Sequence, residues 1–225
     1  MKHTPSDYSA KAILTVDAVL LTLAGGELNV ALFRREAEPF QGQWALPGGY
    51  VHENEDDSAK AAAARVLMQK TAVQSPYLEE FGTVSGPARD PRGWSLSVVY
   101  YALVPPRILS PAIQLFSVVK LPSLPFDHAF IISGVVQRVR SKASYSSLPV
   151  HLCEEPFTIS DLHAVYEGVL GEQLNMANFR RKLDDLDVLE AIPGATRAAG
   201  RSRPGQLYKI AKQYKDKLSI RERGL

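Results

Sequence analysis

From Ala12 to Ala24 the chain is apolar at every position except Thr15, Asp17 and Thr22. Its β-branched content predicts a buried strand, from about Lys11 to Leu23. Gly25 and Gly26 mark a turn, and a second strand runs from about Leu28 to Arg35. A loop with Pro39 and Gly42 leads to a short strand near Gly49. Alanines and the apolar positions Ala63, Val66 and Leu67 then predict a helix from about Asp57 to Thr71. Strands near Tyr77 to Val84 and Ser95 to Leu103 complete a mixed sheet, closed by a helix from Asp127 to about Ser141. The fold class this implies is α/β (α+β).

The pattern changes after a polar, serine-rich stretch from Ser141 to Pro149, which predicts a junction between domains at 1–148 and 149–225. Thr158 or Ser160 starts a helix whose Leu162, Val165 and Val169 share a face, and Gly171 is placed to end it. A second helix, about Asn175 to Leu186, sets Phe179, Leu183 and Leu186 at helical spacing. It leaves Asn178, Arg180, Arg181 and Lys182 mostly outward. Two short helices across a tight turn, the second basic, suit a helix-turn-helix that binds DNA. Val188 to Ile192 and Gln206 to Ile210 read as the strands of a wing. Their glycine- and proline-rich connection carries Arg197, Arg201 and Arg203 and no acid, which suits phosphate or narrow minor-groove contact.

The 225 residues leave room for one ordinary domain and a small second one. Residues 1–150 hold 14 basic and 13 acidic side chains, but all twelve bases of the remainder lie after Asn175, against six acids, so that tail is +6. A basic region beside a neutral domain is the footprint of phosphate binding; charge alone would equally describe a solvated terminal face. Cys153 is the only cysteine, which excludes an intrachain disulfide and a cysteine-built zinc site and suits the cytoplasm. The first apolar run, behind Lys2 and Lys11, has the outline of a secretory leader, but Asp17 interrupts it and no small-residue cleavage pattern follows. No later run has the apolar length of a membrane span.

The segment Trp44-Ala-Leu-Pro-Gly-Gly-Tyr-Val-His-Glu-Asn-Glu55 begins like a Nudix box, yet no glutamate follows Glu55 until Glu79. Gly49 and Glu55 match the first half of that signature. Its second half is Arg-Glu-apolar-x-Glu-Glu-x-Gly-apolar. Allowing a two-residue insertion, Arg65 to Val73 lies on it, and Val66, Gln69 and Lys70 replace all three glutamates. Without the insertion, Ala63 and Ala64 fall on the Arg-Glu pair and the deficit is the same. In Nudix hydrolases those glutamates share one helix face and hold Mg²⁺ against a pyrophosphate. Valine cannot ligate the metal, glutamine is a poor substitute and lysine repels it.

Further segments typical of such proteins follow in order: Thr15 to Thr22, Ala31-Leu-Phe-Arg-Arg35, the box, Arg89-Asp-Pro-Arg-Gly-Trp-Ser95, and Phe126-Asp-His128 opening a helix. With the C-terminal part, the chain resembles the NrtR family, Nudix-related transcriptional regulators of bacterial NAD metabolism. The resemblance covers nearly the whole chain. It implies a Nudix fold like that of ADP-ribose pyrophosphatases, in many members without hydrolysis, fused to a winged helix-turn-helix. It further implies a repressor of NAD synthesis or salvage genes that responds to ADP-ribose.

For a ligand of that kind, Gly48 and Gly49 let the backbone approach a pyrophosphate, and Arg34 and Arg35 can bond to it. Phe40, Trp44 and Trp94 offer flat faces for adenine, and Asp90, Arg92 and Asp127 can bond ribose hydroxyls or orient a base. The structural alternatives are solvated arginines, a packing Trp44 and an Asp127 that caps its helix. Lys70, standing where a metal-binding carboxylate belongs, either replaces Mg²⁺ as counter-charge to the pyrophosphate or snorkels to solvent.

The expectation is a homodimeric, ligand-controlled repressor on a palindromic double-stranded operator. Dimerisation follows from the resemblance and from the two-fold symmetry of such operators. No cofactor, catalytic residue or metal ligand is assigned, since His52, His128 and the other histidines lack paired ligand spacing. Two other readings stay open. One is a bifunctional ADP-ribose hydrolase with an improvised metal site at Glu53, Glu55, Asp56 or Asp57; the other is a regulator of the same architecture tuned to another nucleotide or a sugar.

Overall fold

In a computed structural model that describes residues 12–74, 77–198 and 204–220, the first apolar run forms β1 (Ile13–Ala24), the middle of a mixed sheet. β2 (Glu27–Arg34) returns beside it across Gly25 and Gly26, whose φ angles of 62° and 80° are what a two-residue type I′ turn requires. The other strands are β3 (Trp44–Ala45), β4 (Gly48–Tyr50), β5 (Glu79–Gly86), β6 (Ser95–Leu103) and β7 (Ile113–Ser117). They lie in the order β3-β2-β1-β6-β5, with β4 also on β1 and β7 on β2. Among the described residues only the β1–β6 pair of this sheet is parallel.

Helices cover both faces. Val16, Ala18 and Leu20 of β1 pack with Ala62, Ala63, Val66 and Leu67 of α1 (Ala59–Thr71). Val19 and Leu21 pack with Ile131, Ile132 and Val135 of α2 (His128–Tyr145). A strand buried on two sides needs apolar residues at consecutive positions, which is why β1 shows no alternation. β7 has no counterpart in the sequence expectations. Only Ile113 and Leu115 alternate there, too short a run to predict a strand; it forms because β2 offers ladder partners from Asn29 to Phe33.

The C-terminal part contains α3 (Ile159–Leu170), α4 (Met176–Leu186), β8 (Leu189–Arg197) and β9 (Gly205–Ile210). Thr158, rather than Ser160, caps α3. Its hydroxyl accepts from Asp161 N at 3.1 Å while Asp161 Oδ2 accepts from Thr158 N at 2.8 Å, a reciprocal capping box. Gly171 ends the helix at φ 76°, and Asn175 Oδ1 caps α4 by accepting from Ala177 N and Asn178 N. Phe179, Leu183 and Leu186 bury against Leu162 and Tyr166. The first wing strand continues past Ile192 to Arg197, because an irregularity between Ala191 and Thr196 absorbs Pro193 and Gly194.

The serine-rich stretch is not an exposed tether. α2 runs through Tyr145, a 3₁₀ turn spans Leu148–Leu152, and Ser146, Ser147, Leu148 and Val150 are buried. Leu148, Leu152 and Val169 join the core on the α2 side of the sheet, whereas Val150 and Cys153 join that of the C-terminal helices. The two cores therefore meet along this segment. Among the described residues no helix is long and apolar enough to cross a membrane.

Candidate ligand pocket and nucleic-acid interface

A cavity of about 350 Å³ opens where β4, α1 and the loop after β2 meet the first turn of α2. This size lies in the range of small-molecule sites, ~300–1,000 Å³. β4 lies close against β1 and α1 here because its first two residues are glycines: a Cβ on Gly48 would stand 2.2 Å from Asp17 Oδ1 of β1, and one on Gly49 3.0 Å from Val66 Cγ2 of α1. Arg35, Lys70, Asp90 and Arg92, four of the residues the sequence marks for ligand contact, also line the cavity.

The α1 residues on this wall are Arg65, Val66, Gln69 and Lys70. Arg65 is held within the protein by four hydrogen bonds. It donates to Asp56 Oδ1 and Oδ2 at 2.8 and 2.7 Å, to Tyr50 O at 2.9 Å and to Gln69 Oε1 at 3.3 Å. The hydrogen bonds from Arg65 hold the Asp56 carboxyl down at about 2. Glu55 pairs with His52 Nδ1 at 2.9 Å. Two of the four acids of the improvised metal site are thus occupied by protein partners. Among the described residues no group of three or more His, Cys, Asp or Glu side chains is arranged to hold a metal ion.

The floor carries an ionic network that sequence reasoning largely missed. Asp17 is buried and accepts from Ser97 Oγ at 2.6 Å, with Arg89 Nη2 at 3.5 Å and His128 Nε2 at 3.6 Å. Burial raises its pKa, but the hydrogen bonds from His128 and Ser97 and the Arg89 charge outweigh this, and the net shift is downward. Leu46 N donates to His128 Nδ1 at 3.1 Å, which assigns the ring proton to Nε2, the nitrogen facing Asp17. Arg89 also makes two 3.0 Å bonds to the Asp127 carboxylate. Asp17 was nonetheless legible as the single charge in an apolar strand, and Arg89 and His128 lie inside segments already marked out.

Five expected ligand residues lie off the cavity. Arg34 stacks on Trp44 at 4.6 Å and donates to Gly42 O, while Trp44 packs edge-on against Phe116 at 5.3 Å. Phe40 packs edge-on against Phe126 at 4.9 Å. Trp94 is exposed and contributes its carbonyl to Ile13 N. Asp127 occupies the N-cap position of α2 without making a side-chain cap, its carboxylate being spent on Arg89. The aromatic residues that do line the cavity are Phe33, Tyr50 and Phe126. Tyr50 is half exposed, with the Arg92 guanidinium 5.3 Å from its ring centre. Arg92 is itself fixed by Asp90, at 3.0 and 2.7 Å.

On the C-terminal domain, Asn178, Arg180 and Arg181 are exposed on α4, and Asn178 Oδ1 accepts from Arg181. Lys182 corrects the expectation for that helix. Its ammonium turns back into the protein, donating to Ala143 O and standing 4.4 Å from the centre of the Tyr166 ring. One helix residue beyond Arg181 is about 100° further round the axis, which carries Lys182 off the exposed face. Arg197 pairs with Asp161 Oδ2 at 2.8 Å and donates to Pro156 O. Arg201 and Arg203 lie outside the described residues.

Comparison with known proteins accords with this two-part geometry. The NUDIX domain family matches residues 12–127, and the family described as the NrtR DNA-binding winged helix domain matches residues 149–210. The chain is 35% identical to the "ADPR responsive transcriptional repressor NtrR" of Acinetobacter baylyi over 94% of its own length and 87% of that protein. It superposes on Shewanella oneidensis NrtR in complex with a 27mer DNA with a TM-score of 0.81, at 38% identity, over 88% of this chain and 93% of that one. It also matches the NUDIX domain of Shewanella oneidensis NrtR in complex with ADP ribose, with a TM-score of 0.53, at 37% identity, over 61% of this chain and 94% of that one. A Nudix domain followed by an NrtR winged helix, and this identity along nearly the whole length, make the chain a member of the NrtR family.

Proposed function

We propose that this protein is a homodimeric, cytoplasmic transcriptional repressor of NAD synthesis or salvage genes. Residues 1–148 sense ADP-ribose or a close NAD-derived nucleotide, and residues 149–225 bind a palindromic operator. The observation that carries this reading is the composition of the α1 wall. Val66, Gln69 and Lys70, which take the three glutamate positions when Arg65 is set on the signature arginine, line the cavity beside a β4 backbone that glycine keeps open. Such a wall favours a pyrophosphate and disfavours Mg²⁺. The pocket is accordingly a sensor, and hydrolysis is not its function. Tyr50, braced by Arg92, supplies the flat face for adenine that Phe40, Trp44 and Trp94 do not. Arg180 and Arg181, at the exposed surface of α4, meet the operator.

The solved relatives bound to DNA and to ADP ribose support both halves of the proposal. The test is capture of fragmented DNA from the protein's own genome. Fragments upstream of NAD synthesis or salvage genes should be retained, sharing one inverted repeat, and be released by ADP-ribose. Retention without any shared sequence would overturn the assignment.

A further inference from the structure

We propose that α2 transmits the state of the pocket to the DNA-binding domain, and that Lys182 is the latch at its far end. This rests on the sensor reading above and names how the site is regulated.

The two ends of α2 are held by different parts of the molecule. At its amino end, Arg89 binds Asp127 while His128 bridges Leu46 N and Asp17, and Arg89, Asp17 and His128 all line the pocket. At its carboxyl end, the helix presents backbone carbonyls that α2 cannot satisfy itself, and the DNA-binding domain supplies the donors. Lys182 of α4 donates to Ala143 O, and Tyr166 of α3 donates to Ser146 O at 3.0 Å. A lysine ammonium at the carboxyl end also matches the sign of the helix dipole. Eighteen residues of α-helix span about 27 Å, so one rigid element joins the ligand floor to the helix that meets DNA.

A second contact gives this element something to turn against. α3 crosses the β1–β2 turn so closely that a Cβ on Gly168 would stand 2.8 Å from Gly26 O and from Leu23 Cδ2. Arg140, on α2, donates to Val169 O next to it at 3.2 Å. The DNA-binding domain thus rests on the sheet at Gly168 and is held by α2 at Lys182 and Tyr166. A shift of α2 along or about its axis rotates the domain about the Gly168 contact.

The ligand supplies the shift. A pyrophosphate entering the pocket competes with Asp127 and Asp17 for the Arg89 guanidinium. Drawing Arg89 toward the phosphates frees the first turn of α2. Because packed cores move between discrete arrangements, a small displacement there is carried to the other end.

The test is operator affinity, by fluorescence anisotropy with and without saturating ADP-ribose, for wild type, Lys182→Met and Tyr166→Phe, with ADP-ribose affinity measured by calorimetry. In wild type ADP-ribose should weaken operator binding at least about fivefold, within the usual span of allosteric coupling. Lys182→Met should bind ADP-ribose as wild type does, and its operator affinity should change less than about twofold on adding the ligand. Were Lys182 only a DNA contact, the substitution would weaken operator binding equally with and without ADP-ribose and leave the ratio intact; that result overturns the proposal. If Lys182→Met does not fold, Tyr166→Phe decides, since it removes only the bond to Ser146; an unchanged ratio there overturns it equally. A wild type whose operator binding ignores ADP-ribose overturns the sensor reading itself, and this proposal with it.

Discussion

The Lys70 ammonium stands 5.4 Å from the centre of the Phe33 ring, and both residues line the cavity beside β4. This placement favours the counter-charge role over a lysine that merely snorkels to solvent, because both residues line the same cavity. Lys70→Glu should therefore weaken ADP-ribose binding in EDTA by about tenfold or more, roughly 1.4 kcal/mol or above. Lys70→Met should weaken it less, since it removes attraction without adding repulsion. Calorimetry separates the three proteins; equal affinity in all of them removes Lys70 from the binding site.

Catalysis should stay near background. With valine, glutamine and lysine on the α1 wall, and with Asp56 and Glu55 tied to Arg65 and His52, ADP-ribose should yield no AMP above the uncatalysed rate in millimolar Mg²⁺ or Mn²⁺. Release of AMP at about 1 per second, an ordinary enzyme rate, would promote the bifunctional reading.

Much of this was legible in the sequence where one local cause dominates. The Gly25-Gly26 turn, the end of α3 at Gly171 and the buried faces of α1 and α4 each follow from a residue type at its proper place. What the sequence could not show is which of two neighbouring positions faces a site formed by distant segments. Arg34 and Arg35 are adjacent, yet Arg35 lines the pocket while Arg34 stacks on Trp44 outside it, since successive side chains of an extended strand alternate. Lys182 was misplaced for a similar reason. Its partner Tyr166 lies on α3 of the same domain and its partner Ala143 on α2, and only the packing of one domain on the other brings Ala143 to it.

His151 should make the interdomain region sensitive to acid. Burial lowers its pKa from 6.5 to about 4 against the opposing Glu155 charge, and its ring stacks on Tyr77 at 5.1 Å. A histidine whose folded pKa is depressed contributes stability that is full above the unfolded value. That stability is lost as pH falls from about 6.5 to about 4, by roughly 3 kcal/mol in all. Thermal melts across this range should show wild type losing more stability than His151→Phe, which keeps the stack and cannot protonate. Parallel curves would assign the loss to other groups.

On α4 the arginines should separate by kind. An arginine that reads a guanine should cost about 1–3 kcal/mol on replacement by alanine and relax specificity at one base pair. One that contacts phosphate should weaken all sequences alike and lower the salt slope by about 1. Arg180→Ala and Arg181→Ala, titrated against operator and single-base variants, should each show one of these signatures. If both leave operator affinity unchanged, α4 is not the helix that meets DNA.

In the proposed sensor, one metal-free ligand pocket controls one DNA-binding domain. Titrating the operator with wild-type protein in EDTA, with and without saturating ADP-ribose, tests it most directly. The expected result is operator binding that weakens at least about fivefold when ADP-ribose is present, with no divalent metal required. Unchanged operator affinity, or an effect that appears only when Mg²⁺ is restored, would contradict it.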